Sequence, residues 1–465
     1  MDGKEKEEGS EEIHFNAWYD KERIQQSKAI LVGVFKTSKD EEMAVDHLKE
    51  LDLLARTHKI PVVDSWCTVV REFSAATFLS SGKLTQLKDR VAASGANVVI
   101  FDDEISPVQQ RNLETALKMP VMDRTEVILG VFADRAKTHE AKLQIQMAQV
   151  KYIAPRLKRM WLHLSRQTGG GGGATGGGYL RGKGETQIEM DRRALKRRLE
   201  RLQEELKGVS RYRQTQRSRR EKTAIPVFAI IGYTNAGKST LMNRLTNAHV
   251  FVEDMLFATL DTTTRQFTLP NNQSVLLIDT VGFIRKLPHL LVAAFKSTLE
   301  ESVEADVLIH LIDSSHPLAL EQAKTTFEVL SELKAMDRPI ITVINKVDLA
   351  EEGNAHQREM IQKLRLTYPR SIQVSALTGE GFDLLFEEMI EVLKTRRKRV
   401  QVRIPQSEYS IVASAIRDGT VFSQSYVEND VVVDVELPLS HAQQLAQYIY
   451  EVPHEPEHIE EPAGE

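Results

Sequence analysis

Residues 232–240 read GYTNAGKST, a set of residue types and spacings that suits a loop wrapped around nucleotide phosphates. This stretch, called the phosphate loop below, follows the apolar run VFAII and precedes a helical pattern, as a GxxxxGK[ST] loop requires. Its backbone N–H groups and the start of the helix would attract phosphate oxygens. We expect Lys238 to reach the β- and γ-phosphates and Ser239 to bind Mg²⁺. The residues assigned to nucleotide binding here are Gly232, Tyr233, Thr234, Asn235, Ala236, Gly237, Lys238, Ser239 and Thr240.

Two later segments could complete the site around the γ-phosphate and the metal ion. Asp279 and Gly282 lie in LLIDTVGF, where a carboxylate can help to hold Mg²⁺ and a glycine amide can meet a phosphate oxygen. In FATLDTTTR we prefer Thr259 as a further metal ligand, with Thr262, Thr263 and Thr264 as competitors. The residues assigned to nucleotide binding in these two segments are Phe257, Ala258, Thr259, Leu260, Asp261, Asp279, Thr280, Val281 and Gly282.

The sequence NKVD at 345–348 follows the strand pattern IITVI and predicts which base is bound. Asp348 can accept hydrogen bonds from guanine N1–H and the exocyclic amine, groups that adenine lacks at those positions. Asn345 suits the guanine oxygen, and Lys346 can cover the ring. Further along, VSALTGEG would close the base pocket, so the assigned residues are Asn345, Lys346, Val347, Asp348, Ser375, Ala376 and Leu377. The four elements occur in one order across about 145 residues, which predicts a site for GTP or GDP with Mg²⁺.

Hydrolysis would depend on Lys238, Thr259, Gly282 and Asn235, but one nearby position departs from the common GTPase pattern. Phe283 follows DTVG, where many GTPases carry a glutamine that orients the attacking water. Phenylalanine cannot orient water, so we expect slow intrinsic hydrolysis that a partner or another residue completes. Asn235 has two interpretations: it helps to hold K⁺ as an activating charge, as in related GTPases, or it only shapes the turn.

The composition is that of an ordinary globular protein, with 41% hydrophobic and 27% charged residues in a chain of 465. The single cysteine, Cys67, excludes an intramolecular disulfide and suits a reducing compartment. The start MDGKEKEEGSEE lacks the apolar run of a secretory signal, and no stretch approaches the ~20 apolar residues of a membrane span. We therefore expect a cytoplasmic protein without integral membrane insertion.

Positive charge is concentrated in one part of the chain. Between Lys151 and Lys222 there are 20 Lys and Arg against 7 Asp and Glu, a local net charge of +13, although the whole chain carries −5. A basic module within an acidic protein is the electrostatic footprint of a polyanion such as RNA. A charged helix face that only meets solvent is the alternative.

Alternating strand and helix patterns predict an α/β protein with several domains. We expect an acidic tail at 1–25, an N-terminal α/β domain at 26–125, a helical hairpin at 126–222, a P-loop GTPase domain with a mostly parallel sheet at 223–397, a small C-terminal α+β domain at 398–452 and an acidic tail at 453–465.

The predicted hairpin follows from two heptad patterns separated by a glycine-rich segment. Apolar residues recur at alternating spacings of four and three at Leu143, Met147, Val150, Ala154, Leu157, Trp161 and Leu164. The same seam continues at Ile188, Leu195, Leu199, Leu202, Leu206 and Val209, with one intervening position filled by Arg192. Pro155 should kink or break the first arm. The segment GGGGGATGGGYLRGKG at 169–184 would form the tip, held roughly 40 Å out by the arms, with Arg181 and Lys183 as contacts to phosphate.

The combination resembles the HflX family of ribosome-associated GTPases over about residues 26–395. The narrow marks of the resemblance are VMDRTEVILGVFADRAKTHEAKLQIQMAQVKYIAPRL at 121–157, the glycine-rich loop followed by GETQIEMDRR, and FATLDTTTR; the marks shared with many other GTPases are GYTNAGKST, DTVGF and NKVD. In many members the loop is closer to GGIGTRGPGE, so this chain lacks the proline and one arginine.

The resemblance implies a GTPase that binds the large ribosomal subunit and its rRNA. We also expect the protein to be a monomer. The resemblance also implies a role in stress, in which stalled ribosomes are separated into subunits and the hairpin tip is inserted toward the peptidyl transferase centre. Two alternatives stay open at this point. Phe283 would suit a nucleotide-gated scaffold that binds RNA or protein with little hydrolysis, and some members are described as ATP-driven RNA-remodelling proteins that use the N-terminal domain.

Overall fold

The computed structural model describes residues 26–157, 180–220, 225–246, 256–257, 262–288, 305–350, 355–394 and 397–450. Within these residues the chain forms three β-sheets and a long helical segment, in a mixed α/β arrangement. The predicted fold class is therefore confirmed. None of the helices in the described ranges combines the length and apolar character that crossing a membrane needs.

The first sheet has four parallel strands in the order β2-β1-β3-β4. Its strands are β1 (Ala29–Phe35), β2 (Val62–Val69), β3 (Val98–Phe101) and β4 (Val121–Asp123). The helices between them are α1 (Glu41–Thr57), α2 (Ser81–Ser94) and α3 (Pro107–Leu117). Ser106 starts α3 with a reciprocal capping box to Gln109, which satisfies N–H groups at the helix start. Cys67 lies in β2, where burial raises the pKa of its thiol to about 11.

Helix α4 (Arg124–Arg135) begins directly after β4 and is followed by α5 (His139–Ile153). The side chains of Asp123 and Thr138 cap them by accepting hydrogen bonds from the backbone N–H groups of Glu126 and Ala141. After Ile153 the chain forms a 3-10 turn at Ala154–Arg156. The break predicted at Pro155 is confirmed, because proline has no N–H to continue the α-helical ladder.

A helix of 41 residues, α6 (Leu180–Arg220), supplies the second arm of the hairpin. It begins inside the glycine-rich segment, so the prediction that the tip extends to residue 184 is wrong for residues 180–184. Residues 169–179 lie outside the described part, together with Trp161 and Leu164. The two seams do meet: Leu202 is buried against the core that includes Leu143 and Met147, and Leu199 packs on that core. Burial extends round most of α5, more than a single heptad seam predicts.

The second sheet contains the phosphate loop at the end of its first strand. Its order is β10-β9-β8-β5-β7-β6, parallel except for β6 against β7. The strands are β5 (Val227–Gly232), β6 (Thr263–Thr268), β7 (Ser274–Asp279), β8 (Val307–Asp313), β9 (Ile340–Asn345) and β10 (Ile372–Gln373). The described helices are α7 (Lys238–Thr246), α8 (Ala319–Glu332), α9 (Ala355–Thr367) and α10 (Phe382–Lys394). Strand β8 is buried along its whole length, which explains its run of apolar residues.

The third sheet is small and antiparallel, in the order β11-β13-β12. Its strands are β11 (Arg397–Pro405), β12 (Thr420–Val427) and β13 (Asp430–Pro438), and its helices are α11 (Tyr409–Asp418) and α12 (Leu439–Gln444). Alternate residues of β11 and β13 face the helices and are buried, among them Val402, Val433 and Val435. The predicted α+β character of this part is confirmed, whereas the exact domain boundaries stay a prediction.

Candidate nucleotide site

The predicted site residues gather at the carboxyl ends of β5, β7 and β9. These strands are parallel, and in an open α/β sheet this edge is where ligands bind. The phosphate loop leaves β5 with Asn235 and Gly237 in left-handed conformations, at φ of 61° and 94°. Residues of this kind turn neighbouring N–H groups to one side and form a concave anion site. The structure therefore gives the loop a shape that suits phosphate.

Lys238 is buried at the start of α7, where its ammonium group donates to the backbone oxygens of Gly232 and Tyr233 at 3.2 and 2.7 Å. Burial lowers the pKa of this ammonium to about 8, and the negative charge of Asp279 opposes that shift. A lysine with that pKa remains mostly protonated at neutral pH. Its cation is held within the loop, next to the groups that would surround a phosphate.

The hydroxyl of Ser239 donates to the Asp279 carboxylate at 2.7 Å. A hydroxyl oxygen and a carboxylate oxygen are hard ligands of the kind that Mg²⁺ prefers, so these two residues fit the predicted metal site. Thr263 and Thr264 belong to β6, where they pair with Asp279 and Ile278. The preferred ligand Thr259 and its neighbours Ala258, Leu260 and Asp261 lie outside the described residues.

The segment after Asp279 is hydrogen-bonded directly to the phosphate loop. Phe283 donates its N–H to the oxygen of Gly232 at 3.0 Å, and Thr234 donates to the oxygen of Phe283 at 2.8 Å. A side chain at Gly282 would place its Cβ 2.8 Å from the backbone Cα of Thr234, so this close approach requires glycine. The Phe283 side chain is 1% exposed. The phenyl group therefore packs inside the protein, in agreement with the expectation that it does not orient water.

On the base side, Asn345 acts as a bridge between two loops. Its amide nitrogen donates to the oxygen of Ala236 at 2.8 Å, and its amide oxygen accepts from the N–H of Ala376 at 2.9 Å. These contacts join the phosphate loop to the predicted base pocket. Direct contact between Asn345 and the guanine oxygen stays a prediction.

The other base-side residues are placed by short contacts within the same sheet. Lys346 has a left-handed backbone with φ of 63°, and its amine lies 2.7 Å from the Asp313 carboxylate. Asp348 is half-buried in the 3-10 turn Val347–Ala350 that follows β9. Ser375 is buried, and its hydroxyl accepts from the N–H of Thr378 at 3.1 Å. Leu377, in contrast, is 70% exposed.

Residues of the N-terminal part that contact the nucleotide loops were not identified from the sequence. Glu50 of α1 accepts a hydrogen bond from the Tyr233 hydroxyl, and Asp102 after β3 forms an ion pair with Arg285 at 2.8 Å. Arg124, at the start of α4, contacts both carboxylates. Arg124 lies in the narrow segment that carries the family resemblance, which was a signal without an assigned role. Glu50 and Asp102 belong to no recognisable motif.

An aromatic contact joins α4 to the loop that precedes β6. Phe257 has a left-handed backbone with φ of 56° and is 2% exposed. Its ring meets the ring of Phe132 edge to face, with centroids 4.5 Å apart. Residues assigned to the nucleotide site therefore contact the N-terminal part at Tyr233, at Phe257 and in the segment that contains Arg285.

Comparisons with known protein families match most of the chain. A family described as "GTP-binding GTPase N-terminal" matches residues 45–133, and one described as "GTP-binding GTPase Middle Region" matches residues 135–220. A third family, "50S ribosome-binding GTPase", matches residues 227–346.

Curated relatives match along almost the whole length. A protein named GTPase HflX from Chlamydia pneumoniae is 45% identical over 437 residues, which cover 93% of this chain and 91% of the relative. The GTPase HflX of Escherichia coli strain K12 is 38% identical over 414 residues, which cover 89% of this chain and 94% of the relative. Among solved structures, a GTP-binding protein from the archaeon Sulfolobus solfataricus in complex with GDP is 25% identical, covers 79% of this chain and 98% of its own, and has a TM-score of 0.39.

Proposed function

Because this chain belongs to the HflX family of GTPases and accordingly binds and hydrolyses GTP, we propose that it does so on the large ribosomal subunit and separates the subunits of stalled ribosomes. We further propose that it acts as a monomer in the cytoplasm. Membership of a GTPase family favours hydrolysis over the alternative of a scaffold with little turnover.

The observation that carries the ribosome proposal is the excess of positive charge on α6. Apolar residues such as Leu195, Leu199 and Leu202 turn toward the core. The exposed basic residues of the same helix are Arg192, at a seam position, and Arg193, Lys196, Arg197, Arg201 and Lys207, and its exposed acidic residues are Glu189, Glu200, Glu204 and Glu205. Over its whole length α6 carries 14 Lys and Arg against 6 Asp and Glu. A long helix with this excess of positive charge suits the regular phosphates of folded RNA, and its contribution to affinity should fall steeply with salt. The family description "50S ribosome-binding GTPase" names the large subunit as the source of that RNA.

We propose that Ser239 and Asp279, together with Thr259, hold Mg²⁺, which would neutralise charge on the β- and γ-phosphates when bound. Lys238 is placed to add a second positive charge in the phosphate loop. The Gly282 amide would donate to a γ-phosphate oxygen, and Asp348 would select guanine. For Asn235, the left-handed backbone supports the turn-shaping interpretation, and K⁺ binding remains the alternative proposal.

The buried Phe283 has a consequence for the rate of hydrolysis. Since this position supplies no polar group, another residue or the ribosome must orient the attacking water. We therefore expect slow turnover by the isolated chain and faster turnover on the large subunit.

GTP turnover should be measured with and without isolated large subunits, at two salt concentrations. We expect the subunits to accelerate turnover in the parent chain. In a variant with Arg193, Lys196 and Arg197 changed to glutamate, the stimulation should be lost and turnover without subunits kept. A matched control changes three exposed basic residues of the other helices, Lys324, Lys363 and Lys394, to glutamate and should keep the stimulation.

A second variant tests the hairpin tip: residues 169–179 are replaced by a Gly/Ser loop of equal length, and Arg181 and Lys183 are changed to glutamine within α6. If the tip enters the subunit, stimulation should fall although the rest of each arm is unchanged. Equal turnover with and without subunits in the parent chain would reject the ribosome proposal and leave the GTPase activity itself intact.

A further inference from the structure

Asp123 and Arg124 are neighbours at the junction of β4 and α4, and their side chains reach two different parts of the molecule. Arg124 contacts the segments around the nucleotide site, and Asp123 contacts the base of the helical hairpin. We propose that Arg124 is a positioning residue for the phosphate side of the nucleotide site, and that Asp123 makes this position depend on the base of the hairpin. The inference concerns nucleotide release by the isolated chain, so it does not rest on the ribosome proposal.

Arg124 is 1% exposed, and each of the three nitrogens of its guanidinium has a partner. One nitrogen is paired with the Glu50 carboxylate, and another donates to Asp102 at 2.9 Å. The third, Nε, donates to the backbone oxygen of Arg285 at 3.2 Å. A planar fork with fixed donors is the group best suited to hold three acceptors in one arrangement.

The acceptors of Arg124 lead directly to the phosphate loop. Glu50 also accepts from the hydroxyl of Tyr233, the second residue of that loop. Burial, with the nearby negative charge of Glu50, raises the pKa of Tyr233 well above its usual value, so the hydroxyl stays protonated and can donate. The same hydroxyl accepts from the backbone N–H of Arg285 at 2.7 Å. Arg124 therefore fixes both the phosphate loop and the segment that follows Gly282.

The Asp102 carboxylate stabilises these contacts further, because it is paired with three cationic side chains. Burial raises the pKa of this carboxyl, but Arg124, Arg285 and Lys286 outweigh burial and lower it to about 2. Arg285 and Lys286 lie at 2.8 and 3.3 Å from its Oδ2 atom. A buried carboxylate with several charge-assisted bonds resists displacement, because removing one partner leaves an uncompensated charge.

Asp123 makes a corresponding set of contacts on the opposite side. Its carboxylate is fully buried and accepts from the Tyr152 hydroxyl at 3.0 Å and from Arg156 at 3.4 Å. Tyr152 lies in the last turn of α5, and Arg156 lies in the 3-10 turn that contains Pro155. The guanidinium of Arg156 also lies 3.8 Å from the centre of the Tyr152 ring. These residues form the point at which the first arm of the hairpin joins the N-terminal sheet.

The two sets of contacts are joined by a single peptide bond. Consecutive Cα atoms in a trans peptide are held about 3.8 Å apart, and the peptide group is planar. A movement of Asp123 with the hairpin base must therefore move Arg124 or break one of its buried hydrogen bonds. Because a buried polar group is costly to leave unpaired, the first outcome is favoured.

The proposal is tested by removing one hydroxyl at the hairpin base. In Tyr152→Phe the ring is kept, but the bonds of the hydroxyl to Asp123, at 3.0 Å, and to Glu126 of α4, at 3.3 Å, are lost. We expect a fluorescent GDP analogue to dissociate about two- to thirtyfold faster, the range by which mutations along packed networks change the coupling between sites. The matched control is Tyr448→Phe, which removes a phenol–carboxylate bond to Glu408 in the C-terminal part and should leave dissociation unchanged.

A double-variant cycle tests whether the effect passes through Arg124. Arg124→Lys keeps the charge but loses the three-way contact, and we expect it to accelerate GDP release by itself. In that background Tyr152→Phe should add no further acceleration. Arg156→Lys provides a second change at the hairpin base with the same expectation, and melting temperatures identify any variant that fails to fold.

Two results would overturn the proposal. Unchanged GDP release in both Tyr152→Phe and Arg156→Lys would show that the hairpin base does not influence the site. Fully multiplicative effects of Tyr152→Phe and Arg124→Lys would show that the influence bypasses Arg124. The relative release of GDP and IDP, which differ only in the base, should be the same in all these variants, whereas a general loss of structure would change it.

Discussion

The two halves of the nucleotide site are supported in different ways. The phosphate half is held by residues more than 100 positions away in the chain: Glu50 meets Tyr233, Asp102 meets Arg285, and Phe132 meets Phe257. The base half is held by its own surroundings, since Lys346 pairs with Asp313 and Ser375 donates its N–H to the oxygen of Glu380.

This difference separates the contacts that select the base from those that control turnover and nucleotide release. Base selection rests on short-range contacts within one sheet, so it should not respond to events elsewhere in the chain. The phosphate half shares hydrogen bonds with the N-terminal part through Arg124, whose neighbour Asp123 contacts the hairpin base. Turnover and nucleotide release should therefore respond to the rest of the chain, whereas the preference for guanine should not.

The strongest test of the phosphate half is Lys238→Ala. The change removes a buried cation and its bonds to Gly232 and Tyr233. We expect turnover to fall by about 10³-fold or more, because charge stabilisation is the main source of catalysis in phosphoryl transfer. Single-turnover hydrolysis gives the rate, and the GTP-to-ITP preference should be retained. A change in that preference would contradict the separation of the two halves.

The corresponding test of the base half is Asp348→Asn. The substitution removes the acceptor for the guanine N1–H and amine, and we expect GTP affinity to fall by roughly 10²-fold or more. Xanthosine triphosphate, which carries an oxygen in place of the amine, should bind better than GTP, as competition binding would reveal. Turnover at saturating xanthosine triphosphate should approach the parent's turnover of GTP. If turnover stays low with the matched nucleotide, the base half also controls catalysis.

Asn345→Ala should affect both halves of the site at once, because this side chain joins them. The change leaves the Ala236 oxygen and the Ala376 N–H without their partners. Each buried group left unpaired costs about 1–3 kcal/mol, so we expect the KM for GTP to rise by roughly ten- to a hundredfold. The affinity for GTP and the rate of turnover should both decline, and the affinity for GDP should fall by the same factor as the affinity for GTP. Thr342→Ala, on the half-buried middle of β9, is a control that should leave both quantities near the parent values.

The smallest expected effect is on the pH dependence of stability, and it comes from strand β8, which lies between the two halves of the site. His310 in β8 is fully buried between β5 and β9, and burial lowers its pKa to about 3. An unfolded histidine titrates near pH ~6.5, so below that pH the unfolded chain binds a proton that the folded chain does not. The free energy of unfolding should therefore fall as pH drops from ~6.5, by at most about 1.4 kcal/mol per pH unit. Urea unfolding at pH ~7.5 and ~5.5, on either side of that titration, should show a smaller loss in His310→Phe than in the parent, and equal losses would contradict this origin.

The parts of the site that could be predicted from the sequence are those encoded by local pattern. The phosphate loop, DTVGF and NKVD each follow a strand, and parallel strands bring their ends to one edge, so the sequence alone was enough to group Lys238, Asp279 and Asn345. The hairpin was likewise predictable from heptad spacing and Pro155. These features depend on neighbours in sequence or on a rule that applies to every open α/β sheet.

The unpredicted contacts depend on how separate parts of the chain pack. Tyr233 was assigned to the loop because of its position, and nothing local indicates that its hydroxyl meets Glu50, 183 residues earlier. The start of α6 at Leu180 was missed because glycine composition argues against a helix there, and the long amphipathic helix overrides that preference. The bonds of Asn345 to the Ala236 oxygen and the Ala376 N–H were not predicted either, because an amide offers a donor and an acceptor to any neighbouring backbone group.

The position of Cys67 has a practical consequence for spectroscopic work. With a pKa of about 11, this half-buried thiol exists as thiolate in roughly one molecule in ten thousand at pH ~7, so it reacts slowly with maleimides. A cysteine introduced at an exposed position, such as Arg193 on α6, would have an ordinary thiol and would be labelled first. Fluorophores could therefore be attached at chosen sites on the natural background, without first removing a cysteine.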